Sequence, residues 1–353
     1  MQTQKDQTIK LDDWKEAIEY FYEQKWTDGL PIVPPKREFV EEMLSSVNRD
    51  PDEVVAVFPP REIKVTVRDI AINAVMAGCK PEYLPVVIAG VEAACEPVFN
   101  LSGINATTHV VSPLMIVNGP IRNKLSINSR HNVFGQGFRA NATIGRAFRL
   151  CMMNLGGGYP GETDMSTFGH PGKFTYCIAE NEEDSPWEPF HVEKGFDADQ
   201  STVTVFGGEA PQSVTNHIAN DPYGICYSIA QVMTNMGNNN TFMSGQILVV
   251  IGPEHAATIA KHGWTKDDVR YYLYQNARSN IDKLRFNGRY GWTWNNNWPK
   301  WYDRKNPDEM IPIVPRPDDI HILYAGGSAG RFSVVVPGWG RISPKIVTKV
   351  IRD

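Results

Sequence analysis

Cysteine is scarce in this chain, with five in 353 residues, and no two of them form a C-x-x-C pair. Cys79, Cys95, Cys151, Cys177 and Cys226 are odd in number and widely spaced. That argues against a disulfide framework or a local zinc site and suits buried thiols in a reducing compartment. Long apolar runs are missing as well. No stretch of about 18 apolar residues is available to cross a bilayer as a helix, and residues 1–10 lack the apolar segment of a secretory signal. The expectation is a cytoplasmic chain with no membrane partner. Lysine and arginine (35) are outnumbered by aspartate and glutamate (40), giving a net charge of -5. The cations are scattered and no basic stripe forms, which argues against nucleic acid. Low-complexity blocks and repeats of about 20 to 50 residues are also missing.

Hydrophobic residues at 42% and charged residues at 21% describe an ordinary globular chain, long enough for one large or two average domains. A first helix with an Asp12 cap carries Trp14, Ile18, Phe21 and Tyr22 at helical spacing. The prolines of residues 31–35 force extended backbone before a second helix. Thr66 and Asp69 form a capping box, and Gly78 ends the helix that follows. A strong helix is expected over 139–154, another from Pro222 to about 236, and a strand at 246–251 turns at Gly252-Pro253 into a further helix. Strands are expected at 54–58, 114–117, 174–179, 201–206, 320–324, 333–336 and 346–351. Interleaved helices and strands favour α/β or mixed α+β. We read residues 1–52 as an N-terminal helical arm and 53–353 as the main α/β domain, with a lobe boundary near 196–200.

Several familiar patterns fail on context. Gly326-Gly327-Ser328-Ala329-Gly330 fits the nucleophile elbow, but a strand follows it instead of a helix, and no histidine comes later. It reads as a glycine turn between strands whose amides could still form an anion nest. Gly135-x-Gly137-x-x-Ala140 and Gly156-x-Gly158-x-x-Gly161 lack the strand that a dinucleotide fingerprint must follow. Gly169 to Lys173 lacks the first glycine and the final Ser/Thr of a phosphate loop. No nucleotide motif stands, so no cofactor is assigned. His109, His131, His191 and His217 never pair at helical spacing, so no local metal motif exists; a metal assembled from distant segments stays open.

The polar, glycine-dense stretch 132–196 is the expected functional surface. Arg139 and Asn141 open a helix, whose free amides attract anions, and Arg146, Asp164, Ser166 and Lys173 follow as further substrate-binding candidates. The competing reading pairs the arginines with Glu162 and Asp164 in an ordered loop. Glu180 and Glu182 follow a strand on one face, suited to acid–base work or a hard cation. His255 stands at a helix start just after a strand, where it would act as a neutral base; the alternative is that Glu254 merely complements the helix dipole. Cys226 lies near a helix N-terminus that can lower a thiol pKa, against the alternative of a buried structural cysteine. Trp292 and Trp294, with other aromatics of 286–302, suit a lid, an apolar wall or a subunit interface.

Asp28-Gly29-Leu30-Pro31-Ile32-Val33-Pro34-Pro35, Ala140-Asn141-Ala142-Thr143-Ile144-Gly145-Arg146-Ala147, Glu180-Asn181-Glu182 with Ser185-Pro186-Trp187-Glu188-Pro189, Gly252-Pro253-Glu254-His255-Ala256 and Ala325-Gly326-Gly327 resemble a little-characterised bacterial family associated with UGSC-type selenoproteins and their cysteine counterparts. The UGSC or CGSC tetrapeptide itself is absent. The resemblance therefore implies that thiol or selenol chemistry would come from a Cys- or Sec-containing partner protein. The expected function is an enzyme, of lyase or hydrolase type or one half of a thiol-linked reductase. It would convert a small organic, anionic molecule by acid–base chemistry, with Glu180, Glu182, His255 and Cys226 as catalytic candidates, and would assemble as a homo-oligomer. The alternative is a non-catalytic binding or scaffold subunit.

Overall fold

The computed structural model describes residues 9–11, 13–286, 303, 305–340 and 344–352. Helix α1 (Trp14–Glu23) is capped by Asp13, whose carboxylate accepts from the amides of Lys15 and Glu16; Asp12 lies outside the described residues. After α2 (Arg37–Leu44) come the hairpin β1 (Val54–Phe58) and β2 (Ile63–Thr66) and helix α3 (Val67–Ala77), opened by the expected Thr66–Asp69 capping box and closed by Gly78 at φ 83. Next follow α4 (Leu84–Ala94), α5 (Leu101–Ala106), β3 (Ser112–Asn118), α6 (Ile121–Lys124), α7 (Arg139–Asn154), β4 (Cys177–Ala179), α8 (Phe190–Glu193) and β5 (Thr202–Gly208). The second half holds β6 (Gln212–Thr215), α9 (Pro222–Met233), α10 (Asn239–Met243), β7 (Ile247–Ile251), α11 (Pro253–Lys261), α12 (Lys266–Asn276), β8 (Arg278–Asn280) and α13 (Ile281–Phe286). It ends with β9 (Met310–Pro312), β10 (Ile320–Tyr324), β11 (Phe332–Pro337) and β12 (Val347–Val350).

The fold is mixed α+β. Two four-stranded sheets, ordered β12-β5-β3-β4 and β10-β7-β11-β6, carry most of it, with two-stranded ribbons β1-β2 and β8-β9 at the margins. In β7 throughout and in β3 from Leu114 to Val117 the central strands are apolar without a break because both faces are covered. In β3, Leu114 and Ile116 join a core shared with Leu248 and Val250 of β7, Leu323 of β10 and Val336 of β11. Met115 and Val117, on the other face, pack with α3, α4 and α7. Likewise Ile247, Val249 and Ile251 of β7 face a third core built with α9, α11 and α12. The layers therefore run helices, sheet, sheet, helices. The apolar faces of α1 and α2 (Ala17, Phe21, Val40, Met43, Leu44) belong to the first of these cores.

The two sheets repeat one strand pattern. In the first, β3 runs parallel to β4, with Val117 opposite Ala179, and antiparallel to β5, with Asn118 opposite Thr202. In the second, β7 runs parallel to β10, with Val250 opposite Leu323, and antiparallel to β11, with Ile251 opposite Ser333. The fourth strands are exchanged: β6 follows β5 yet pairs with β11, while β12 follows β11 yet pairs with β5. Where the crossings meet, Glu209 N–H donates to Pro337 O at 2.8 Å and Trp339 N–H to Gly207 O at 3.2 Å. The chain thus passes from one sheet to the other between β5 and β6, beyond the boundary expected at 196–200.

Candidate functional site

Each parallel pair ends in the same backbone device. After β3 comes Gly119-Pro120 and a helix; after β7 comes Gly252-Pro253 and a helix. The neighbouring antiparallel strand presses against both glycines. A Cβ on Gly119 would stand 2.2 Å from Gln200 O, and one on Gly252 would stand 2.3 Å from Phe332 O. Only glycine fits either place. The carboxyl ends of adjacent parallel strands, with a helix starting beside them, are where such sheets leave room for ligands.

At the β7 end a pocket of about 160 Å³ opens. Val133, Phe134, Val250, Pro253, Phe332 and Val334 give it apolar walls; Gly252, Ser333 and the Gly326–Gly330 turn complete it. The turn crosses the end of β7 from β10 to β11 and is pinned at both ends. Gly326 N–H donates to Ser129 O at 2.9 Å, and Gly330 N–H donates to Glu254 Oε1 at 2.7 Å. Gly327 leaves room for the His131 ring, since a Cβ there would lie 2.6 Å from its Cδ2.

His255 stands behind the Ser333 wall, fully buried in α11. Its Nε2 lies 3.1 Å from Asn216 O and its Nδ1 lies 2.8 Å from Ser333 Oγ. A carbonyl only accepts, so Nε2 carries the proton and Nδ1 accepts from the Ser333 hydroxyl. Burial holds this imidazole below its ordinary pKa, against the opposing pull of the Asn216 carbonyl. Asn216 is itself fixed, donating from Nδ2 to Ser228 Oγ at 2.8 Å and to Gly224 O at 3.1 Å. A hydroxyl, a neutral base and a group that orients the base thus stand in sequence.

The β3–β4 end is charged and closed. Asn118 Nδ2 donates to Glu180 Oε2 at 2.6 Å and to Glu182 Oε1 at 2.9 Å. The expected carboxylate pair therefore converges on one amide. Glu182 also accepts from Gly119 N–H at 2.8 Å and pairs with Arg122 at 2.9 Å. Glu180 accepts from Phe190 N–H at 2.6 Å, and Lys266 lies 3.6 Å from its other oxygen. Burial raises the Glu180 carboxyl above its usual range, with Lys266 pulling the other way. Hydrogen bonds from Arg122 hold the partly exposed Glu183 down at about 2. Lys266 Nζ, both His191 nitrogens, Asn118 Oδ1 and Thr202 Oγ1 are buried without a hydrogen-bond partner. Lys266 and Arg270 of α12 reach Glu193 of α8, so this cluster also ties the second half to the first.

The anion surface expected around Arg139 does not assemble, because its cations are already partnered. Arg139 donates twice to Gly78 O, Arg146 holds Asp28 through two bonds of 2.8 Å, and Lys173 grips Asp164 at 2.7 Å. Asn141 ties down residue 128, accepting from its amide at 2.8 Å and donating to its carbonyl at 2.9 Å. Ser166 donates to His109 O at 2.9 Å. Arg139, Asn141 and Arg146 thus anchor helix α7 to its neighbours, and Asp164, Ser166 and Lys173 are tied down in the segment after it, with Lys25 taking Glu162. The lowered thiol expected at Cys226 is also corrected. Cys226 comes a full turn after Pro222 and faces the α9 core, where burial pushes its thiol up to about 12. Trp292 and Trp294 lie outside the described residues. Ser333 carries no local signal inside the apolar run of β11, and Lys266 sits beside the capping Thr265, at a helix start where a lysine is ordinarily solvated.

No protein-family model, curated protein or solved structure matches the chain. Among the described residues no group of three or more His, Cys, Asp or Glu is placed to hold a metal ion, and no helix is long and apolar enough to cross a membrane.

Proposed function

We propose that the chain is an enzyme that converts a small, largely apolar organic molecule in the pocket at the end of β7. Ser333 supplies the reacting hydroxyl and His255 acts as its base. One observation carries this reading: a buried imidazole, fixed in one tautomer by Asn216 O, lies 2.8 Å from the hydroxyl of Ser333, a residue of the strand that borders the pocket. The Gly252 amide, 3.4 Å from Ser333 Oγ, would favour the oxygen as it gains negative charge. Because no charged side chain lines the walls, the substrate class moves from anionic to neutral. Glu180 and Glu182 become members of a structural ion network in this reading.

The five thiols do not support chemistry of their own. Burial raises all of them, Cys79, Cys95, Cys177 and Cys226 to about 12 and Cys151 well above the ordinary thiol range. A thiol-linked reaction would need a Cys- or Sec-containing partner. The test is to treat the folded protein with diisopropyl fluorophosphate and map the adduct by mass spectrometry. We expect a single adduct on Ser333, formed roughly 10²–10⁴-fold more slowly in His255→Gln. A folded protein that stays unlabelled at Ser333 would overturn the reading and leave a binding or scaffold role.

A further inference from the structure

The layer between the two sheets is apolar for most of its depth, where Leu114, Ile116, Phe206 and Leu248 meet. At the end of β3 it turns polar. Alternation along β3 and β5 turns Asn118 and Thr202 into that same layer, opposite each other in register and both fully buried. Asn118 spends its amide nitrogen on Glu180 and Glu182, but its Oδ1 and the Thr202 hydroxyl have no partner. His191 of α8 is fully buried and has no partner on either ring nitrogen; Glu182 Oε1 lies 3.9 Å from its Nδ1. Lys266 enters from α12 and stops 3.6 Å from Glu180 Oε1 and 3.5 Å from Glu193 Oε2, beyond ordinary hydrogen-bond length. Its Nζ and that Glu193 oxygen also lack hydrogen bonds. We infer that this end of the layer is an internal water-binding site, in which ordered water molecules complete the junction of Asn118, Thr202, His191 and Lys266.

Energy requires a ligand here. A buried donor or acceptor left unpaired forfeits its hydration, and a chain folded with all of these groups dry would lose much of its marginal stability. The chemistry of the groups selects the ligand. The Lys266 ammonium and the Thr202 hydroxyl donate, the Asn118 carbonyl and the Glu193 carboxylate accept, and an imidazole presents one nitrogen of each kind. A cation would meet Lys266 and Arg122, and an anion would meet Glu180, Glu182 and Glu193. Among the described residues no group of three or more His, Cys, Asp or Glu is placed to hold a metal ion. The ligand is therefore neutral, and it both gives and takes hydrogen bonds. With Asn118, Glu180, His191 and Thr202 fully buried, the smallest such molecule fits best. Water in protein interiors typically makes about three hydrogen bonds to groups of this kind.

The bound water also has a place in the architecture. Lys266 and Arg270 belong to the second half of the chain, and both reach Glu193 in the first. Water held on Lys266 Nζ and Glu193 Oε2 is therefore part of the joint between the halves, as much as the ion pairs are.

The test is a high-resolution crystal structure of the full chain, paired with urea unfolding of Thr202→Val. We expect water density within about 3.2 Å of Lys266 Nζ and of the Thr202 hydroxyl. Valine matches threonine in shape but cannot hydrogen-bond. It should remove the water on residue 202 and lower the folding equilibrium constant about five-fold. A dry hydroxyl gives the opposite sign, since valine then removes an unpaired polar group, so unchanged or raised stability overturns the inference. The wild-type density decides the matter even if the variant does not fold. Absence of water there, direct hydrogen bonds closing the same gaps, or a single peak with contacts of about 2.0–2.6 Å that mark a metal ion would each overturn it.

Discussion

At the end of β3 the cross-strand pair is Asn118 and Thr202, and the helix beyond Gly119-Pro120 presents Arg122. At the end of β7 the same positions hold Ile251, Ser333 and His255. After β4 the chain continues as Glu180-Asn181-Glu182, and after β10 as Tyr324-Ala325-Gly326. One backbone therefore carries two chemistries. Carboxylates fill the first edge, and cations from both halves must neutralise them. Glycine and alanine empty the second edge, and a hydroxyl and a neutral imidazole remain beside the opening. The difference separates the edges physically: ion pairs across the closed edge tie the halves together, and the open edge borders a pocket without a charged wall.

The largest effect that would break this division comes from the closed edge. Lys266 is 6% exposed and stands between Glu180 and Glu193, at 3.6 and 3.5 Å. Removing one partner of a buried ion pair leaves an uncompensated charge, at a cost of about 3–5 kcal/mol. Lys266→Met should lose that much in urea unfolding, and Glu180→Gln with Lys266→Met should recover part of it. Labelling of Ser333 in the folded fraction should not change. A stable Lys266→Met protein with impaired labelling would reverse the roles assigned to the two edges.

A smaller pair of effects tests the shared backbone. Alanine at Gly119 or Gly252 forces a methyl group against a backbone carbonyl, costing about 1–3 kcal/mol by overpacking. Gly119→Ala should cost more, because Gly119 also adopts φ +82, which disfavours a side chain. Only Gly252→Ala should slow the Ser333 adduct. If both variants slowed it equally, the edges would be coupled and not divided in function.

Much of this fold was legible from local chemistry. The capping boxes at Thr66 and Thr265, the Gly78 helix stop and the unbroken apolar strands all encode their structure within a few residues. The repeat was not legible. The parallel strands of the first sheet are bridged by α7 and a long loop, those of the second by α11, α12 and β8-β9, and the exchanged fourth strands scramble the order. His255 could be singled out because its position depends only on a strand followed by a helix. Ser333 could not, since nothing in Phe332-Ser333-Val334-Val335 says that an imidazole 78 residues earlier meets it. Arg146 misled for the same reason: its partner Asp28 is 118 positions away. Contacts between distant segments decide which polar residues are already occupied.

The smallest effect concerns protons. Burial lowers His255 below 6.5, so the folded ring refuses a proton that the unfolded chain accepts. Stability from this group is full above 6.5 and is lost as pH falls through that value toward the folded pKa. His170, lowered by burial to about 4, and His321, well below 6.5, act with the same sign. A stability profile therefore sums the three and does not isolate the pocket. The rate of Ser333 labelling does isolate it, because the titratable ring of His255 is hydrogen-bonded to that hydroxyl. The rate should hold steady from pH 8 through 6.5 and fall only at more acid pH, where Nδ1 becomes protonated and can no longer accept. A rate that halves near or above 6.5 would mean an imidazole open to water, and the buried base that distinguishes this edge from the other would be lost with it.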